Sequence, residues 1–515
     1  GVDDSLFVSN KAVLGFAVGF IVVLPIFFFL MWQRGDRSIA VLPFEDVSPD
    51  GDQAYLGIGI ADELRLELQY LEGLRVAGRT SSNAYAEEAG KSRGEVQNVE
   101  TILEGSVRKE EDRIRITVQL TNASDGFTIW SQVYDRELER IFEMQEEIAA
   151  EVAGRLGVSL GVGGINAFHG AGTQNIEAYE TYLQARVDDW IPHHEPIPLL
   201  ERAIELDPNY AVAWSALANR ILGELWGAGP GEAEAILERA HSLAFRGAEL
   251  DPESANVQSV LALIQMIRFD FIGSEEGHAR AISLVGDRGM IERYALMLVR
   301  TGRTAYAQER MSTAMAQEPL GGRPPAFAWH ASLAQGRFEE AQERSDWQLG
   351  ADTIENNLDI AFNKDDPEAL KAAIRAIPEA NLSNDGPERR DQQLNRSFTH
   401  LFEPLIAEFD SPEQVFSILQ DVYQDESLQW TRKLHDIAMS AAYFGHHEFA
   451  LEVKTAEVRN APLRMSAVWY PVMAEVRQLP EFKEFVSEFN VVEYWRAYGW
   501  ADYCEPLGDA DFRCR

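Results

Sequence analysis

The sequence predicts three units in series: a transmembrane helix, an α/β domain with a mixed sheet of about five strands and flanking helices, and an all-α solenoid of helical hairpins. Three observations carry this reading. Residues Ala12 to Trp32 are 21 without a charge. Strand-like and helix-like periodicities then alternate across residues 38 to 157. From Glu177 onward, Ala-rich helical segments are interrupted by proline at intervals, the signature of an internal repeat. The expected boundaries are 1–37 for the tail and transmembrane helix (span 12–32), 38–160 for the α/β domain and 161–176 for a Gly-rich linker. The solenoid follows over 177–490, and residues 491–515 form an aromatic C-terminal cap with a disulfide loop.

The apolar stretch AVLGFAVGFIVVLPIFFFLMW is framed by Lys11 and by Arg34 and Arg37. It is long enough for about 30 Å of hydrocarbon. MWQRGDR lacks the small-residue cleavage site of a secretory leader. Membrane helices tolerate a proline such as Pro25. The flanking charges set no orientation.

In SIAVLPFEDVSPDG a short apolar run, Ile39 to Phe44, stops in an acidic turn, as a buried strand does. GIGIADELRLELQYL places Ile60, Leu64, Leu68 and Leu71 at helical spacing. LRVAGR reads as a second strand and ETILEGSVRKEEDRIRITVQLTNASDGFTIWSQVYDREL as three more, with Ile114, Ile116, Val118 and Leu120 alternating onto one buried face. A Glu- and Ala-rich helix, Glu139 to Leu156, closes the unit. In this order the segments from SIAVLPFEDVSPDG to SQVYDREL resemble the TolB-type amino-terminal domain that stands between signalling modules and tetratricopeptide arrays in bacteria. GKSRGEVQNVE departs from it, lacking an apolar Leu-Gly-Val segment. The resemblance implies a structural or partner-binding module and brings no catalytic residues.

GVGGINAFHGAGTQN, with five glycines and no apolar periodicity, is the linker. GRTAYA and GRFEEA then begin 34 residues apart, the tetratricopeptide period. In that register the small and apolar positions fall on Tyr294, Ala295, Leu298, Ala307 and Ala314, with Pro319 as the terminator. Anchoring on GHHEFA gives Leu434, Ile437, Ala438, Ala441 and Ala450, with Pro462. Ala203, Trp214, Leu217 and Ala218 fit earlier repeats, whereas residues 352–400 are only loosely periodic. Small residues at these places let paired helices approach closely. The aromatics from Trp469 to Tyr503 read as a cap over the exposed face of the final repeat, with a ligand cage as the alternative. LPEFKEFVSEF and YWRAYGWADYCEPLGDADFRC are similar to the terminus of TolB-type plus tetratricopeptide proteins attached to membrane-spanning winged-helix regulators. That similarity implies a DNA-binding output domain upstream of Gly1; related architectures carry a cyclase or kinase there.

With 83 acidic against 46 basic residues the formal charge is -37, which excludes direct nucleic-acid binding by this chain. His193-His194 and His446-His447 lack the spacing of a zinc site. Asp46, Asp50 and Asp52 lack the bidentate glutamate of a calcium loop, and Ser81 and Ser82 stand in no nucleophile elbow. No catalytic, cofactor-binding or metal residue is expected, no cofactor, and no enzyme activity. Cys504 and Cys514, the only cysteines, are either free thiols of a reducing cytoplasm or one small disulfide loop of an oxidising compartment. With Pro506 and Gly508 between them the disulfide is the working expectation. It implies a single-pass protein of the bacterial inner membrane with the bulk of the chain periplasmic; free thiols would make it cytoplasmic. The expected function is a membrane-anchored, non-enzymatic interaction or sensing module, the periplasmic part of a transmembrane signalling or transcription regulator. The alternative is a scaffold or accessory subunit of an envelope complex. Expected partners are proteins on the solenoid or the α/β domain and lipid around residues 12–32, and a homodimer is compatible with this reading.

Overall fold

Apolar alternation in the strands and apolar stripes on the helices between them dictate a two-layer unit at the start of the structure. The computed structural model describes residues 37–71, 73–79, 82, 99–158, 172–186, 196–226, 232–285, 288–317, 328–346, 351–364, 366–379, 397–428, 432–508 and 511–515. Strands β1 (Arg37–Val41), β2 (Glu45–Asp46), β3 (Leu74–Val76), β4 (Thr101–Glu110), β5 (Arg113–Asn122) and β6 (Thr128–Glu137) form one mixed sheet. Its order is β3-β1-β4-β5-β6, with β2 also paired to β4. β1 runs parallel to β3 and β4, and β4, β5 and β6 make an antiparallel meander. Ile114, Ile116, Val118 and Leu120 are fully buried. Helices α1 (Ala54–Gln69) and α2 (Ile141–Arg155) supply the other half of that core through Ile60, Leu64, Leu68, Ile148 and Val152. The acidic turn after β1 holds itself together: the Asp46 carboxylate accepts from the Ser48 and Gln53 backbone N–H groups at 2.9 and 2.8 Å.

The rest of the chain is helical. Helices α3 (Ile176–Arg186), α4 (Pro196–Leu206), α5 (Ala211–Leu222), α6 (Glu232–Leu250), α7 (Ala255–Ile267), α8 (Phe271–Leu284), α9 (Arg288–Arg300) and α10 (Thr304–Gln317) pack each on the next. The series continues with α11 (Ala328–Ala334), α12 (Phe338–Asp346), α13 (Ala351–Asn363), α14 (Pro367–Glu379), α15 (Glu403–Ala407), α16 (Pro412–Gln424), α17 (Lys433–Tyr443) and α18 (His447–Asn460). Nearest-neighbour stacking of hairpins makes this a helical solenoid. Its crossing points are small residues: Ala203, Ala218, Ala295, Ala307, Ala438, Ala441 and Ala450 are all completely buried. A terminal module of α19 (Ala474–Arg477), α20 (Phe482–Glu488), α21 (Val491–Tyr498) and a hairpin of β7 (Cys504–Leu507) and β8 (Asp511–Cys514) ends the chain.

The fold class expected from sequence needs correction at its first unit. The span at residues 12–32 lies outside the described residues, and among these no helix is long and apolar enough to cross a membrane. The physical reason is charge. The 19-residue α6 carries Glu232, Glu234, Glu238, Arg239, Arg246 and Glu249, and such a segment is excluded from hydrocarbon. The described chain is mostly helical with a small mixed sheet.

Candidate functional site

Three places bring chemistry-bearing side chains together: the joint between sheet unit and solenoid, the closure of the solenoid by the terminal module, and a buried charge network between α13, α17 and α18.

At the joint, α1 and α3 touch closely because Gly59 has no side chain; a Cβ there would stand 2.5 Å from the Leu183 side chain. Buried Asp62 faces Arg65 at 2.7 Å, Arg186 at 3.2 Å and Arg79 at 3.5 Å. Glu63 beside it meets Arg186 at 4.0 Å, and burial pushes its carboxyl up to about 7. From the solenoid side Tyr179 receives a hydrogen bond from the Gln145 side-chain amide at 2.8 Å, tying α3 to α2 as well.

The terminal aromatics do not sit on the last hairpin alone. They reach back about 200 residues to the C-terminal end of α9, where helix carbonyls lack intrahelical donors. The indole N–H of Trp469 donates to the Arg300 carbonyl at 2.9 Å, that of Trp495 to Thr301 at 2.7 Å, and the Asp502 amide to Gly302 at 2.9 Å. Gly302 is required there: its φ is +80°, and a Cβ would lie 2.8 Å from Ala501 Cβ and Trp469 Cε2. Tyr494 donates to Glu275 of α8 at 2.8 Å and Tyr503 to Ala334 of α11 at 2.6 Å. The rings fill one another's space, Trp469 against Phe482 and Trp495, and Trp495 against Phe512. They close the solenoid.

Arg300, which anchors Trp469 through its backbone, has a fully buried side chain whose Nε, Nη1 and Nη2 meet no hydrogen-bond partner among the described residues. Burial pushes its guanidinium down to about 9.

In the third place Arg432 stands 2.6 Å from Asp359, 3.2 Å from Asp436 and 3.6 Å from Glu355. His435 lies between carboxylates, 3.0 Å from Asp359 and 3.4 Å from Glu457. Lys454 holds the other Glu457 oxygen at 2.5 Å, and Ser397 donates to Asp436 at 2.8 Å. Burial alone would raise the Asp359 and Glu457 carboxyls; Arg432 and His435 hold the first below the ordinary carboxylate range, and Lys454 and His435 hold the second near 2. An imidazole bracketed by two carboxylates resembles a proton relay. Here every member but the half-buried Glu355 is nearly fully buried, and each has an ion-pair or hydrogen-bond partner within the cluster, so the arrangement joins three helices rather than presenting a reactive group.

Cys504 and Cys514 are opposite one another in the β7–β8 register, joined by a disulfide, with Cα atoms 4.1 Å apart. His446 stacks on Phe416, and its ring is 3.2 Å from the Pro412 carbonyl. Ser82 is buried and donates to the Ala77 carbonyl at 3.3 Å. His193, His194, Ser81, Pro319 and the first eleven residues of the expected linker lie outside the described residues. Sequence reasoning missed the charge network. Its available signal was Arg432, His435 and Asp436 falling beside the apolar stripe of Leu434, Ile437 and Ala438.

No family model matches the chain. It is similar to a protein named "Putative adenylate cyclase 3" from Rhizobium meliloti (strain 1021), at 32% identity over 232 residues. That match takes in 44% of this chain and spans 40% of the relative's length. Among solved structures, "Structure of Naa15/Naa10 bound to HypK-THB" covers 70% of this chain and 63% of its own, at 13% identity and a TM-score of 0.19. A likeness at that score carries no argument.

Proposed function

We propose that this chain is a non-enzymatic protein-interaction or sensing module of a larger signalling protein. The carrying observation is the stacked-hairpin solenoid, fused to the sheet unit at one end and closed by its own aromatic module at the other. The charged groups of the α13–α17–α18 network bind one another and tie helices together, which leaves that network no free reactive group and favours a role for the solenoid surface. The TolB-type resemblance of residues 38–157 supports the same role and rests on the motifs alone. The partial likeness to a protein named as a putative adenylate cyclase points the other way, and it spans 40% of that protein's length. Supplying the full chain with ATP and Mg²⁺ tests this: no cyclic nucleotide is expected, and its formation by purified chain would refute the reading. Crosslinking and mass spectrometry in cells should recover a stoichiometric protein partner, and repeated failure to recover one would count equally against it.

We place the folded part in an oxidising compartment, the periplasm in the bacterial reading, because the paired cysteines support it. Thiol labelling without reductant should find no free cysteine. Two labelled thiols would reverse the assignment.

A further inference from the structure

Arg300 ends α9, Gln335 directly follows α11, and these two helices touch. Both side chains hold buried nitrogens without an acceptor among the described residues: Nε, Nη1 and Nη2 of Arg300, and Nε2 of Gln335. The Gln335 oxygen accepts from Arg337 at 2.6 Å, so its unmet atom is the donor. The carbonyls at these helix ends are already taken. Those of Arg300, Thr301 and Gly302 accept from Trp469, Trp495 and Asp502, and that of Ala334 accepts from Tyr503. The stretch Pro462–Trp469 packs on both helices, with Met465, Val468 and Trp469 fully buried, and covers the end of α9. In a chain with 83 acidic residues, none is placed against this guanidinium: burial is the one influence on its ionisation, and at about 9 it remains a cation at neutral pH. Protein interiors seldom leave such donors unmet, and each exception calls for an acceptor.

We propose that Arg300 binds a small monovalent carboxylate from outside the chain, beneath the terminal module. Charge sets the class: one buried cation neutralises one negative charge, and a dianion such as sulfate would leave a charge unpaired in the interior. Shape agrees, because a planar guanidinium offers a carboxylate two parallel N–H donors. Enclosure sets the size. The Arg300 side chain is fully buried, so the occupant is of the order of acetate rather than a peptide terminus, and it enters when the module lifts. Its charge offsets the one that the closed form otherwise buries alone, so binding favours closure of the module over α9. A small organic acid thereby sets how firmly the aromatic segment holds the solenoid. This deepens the sensing side of the proposed function by naming a ligand class. Its test is separate from the partner and nucleotide tests, and either can fail without the other.

Titration calorimetry of the full chain with sodium acetate near neutral pH, compared with sodium sulfate at equal ionic strength, reads the binding. Wild type should bind acetate and not sulfate. Arg300→Met should lose acetate affinity at least about tenfold, whereas Arg202→Met, which removes an exposed arginine of α4, should keep it. In urea melts acetate should raise the wild-type midpoint and leave that of Arg300→Met unmoved, because only a ligand of the folded state stabilises it. Should Arg300→Met not fold, Arg300→Lys decides: it keeps the charge, loses the planar fork and should also bind at least about tenfold more weakly. No acetate binding by wild type up to about 50 mM, undiminished binding by either Arg300 variant, or sulfate bound as tightly as acetate would overturn the proposal.

Discussion

Replacing Glu63 by Gln probes the joint between sheet unit and solenoid through pH. Burial raises the Glu63 carboxyl; Arg186 draws it partly back, Asp62 pushes it further, and it settles at about 7 against an ordinary 4.5. A raised carboxyl pKa means that the folded chain binds more protons than the unfolded one between these values, so the contribution to stability is complete below about 4.5 and is lost as pH rises through about 7. At 1.36 kcal/mol per pKa unit the full loss is about 3 kcal/mol. Asp62 does not interfere: burial would raise it, but Arg65, Arg186 and Arg79 hold it below 3.8, so its window closes at lower pH. Tyr179, Tyr182 and Tyr210, which face Glu63 from the solenoid side, are all raised above 10 by burial. Glu63→Gln keeps the shape and removes the titration. Urea unfolding followed by circular dichroism from about pH 5 to about pH 8 should therefore show the variant gaining on wild type, by up to about 3 kcal/mol at the upper end. A variant that follows the wild-type slope across that window would refute the reasoning.

Arg300→Met should stabilise the chain by about 2–4 kcal/mol in urea melts, because it removes a buried, unpaired guanidinium while keeping much of its volume; destabilisation would show that the charge has a role. Asp359→Asn should cost about 3–5 kcal/mol by the same measurement, since Arg432 and His435 lose the carboxylate they share. Gly302→Ala should cost about 2–4 kcal/mol and alter the near-ultraviolet signal of Trp469 and Trp495, because its Cβ meets both Trp469 and Ala501 in a left-handed backbone. Cys504→Ser should cost under about 3 kcal/mol, the loop being short, and should leave the far-ultraviolet spectrum unchanged.

Periodicity made much of this architecture legible. The run Ile114, Ile116, Val118, Leu120 declared a strand with one buried face, and GRTAYA with GRFEEA declared the hairpin repeat, because both patterns are local. Legibility failed where contacts are distant. Asp502 reaches Gly302 and Trp495 reaches Thr301 across about 200 residues, and nothing in WADYCEPLG names the far end of α9 as its partner. The charge network escaped notice for a different reason: Asp359 and Glu457 are two of 83 acidic residues, and only the fold separates them from the solvated remainder. β2 was absorbed into an acidic turn because a two-residue strand has no period to detect.

The closure also narrows where a partner can bind. An open tetratricopeptide-like array has one continuous inner surface and two ends. In this chain the terminal segment occupies part of that array: Phe489 packs on Phe269, Tyr494 bonds Glu275, Tyr503 bonds the Ala334 carbonyl, and the Val472 amide bonds Asn363. From α7 to α13, then, the solenoid already holds an aromatic segment of its own, largely helical. A competing protein segment would have to displace buried tryptophans and uncover the end of α9, which the Gly302 geometry makes costly. A binding site that maps to the surface of α8 or α11 covered by these contacts would require the terminal module to leave first.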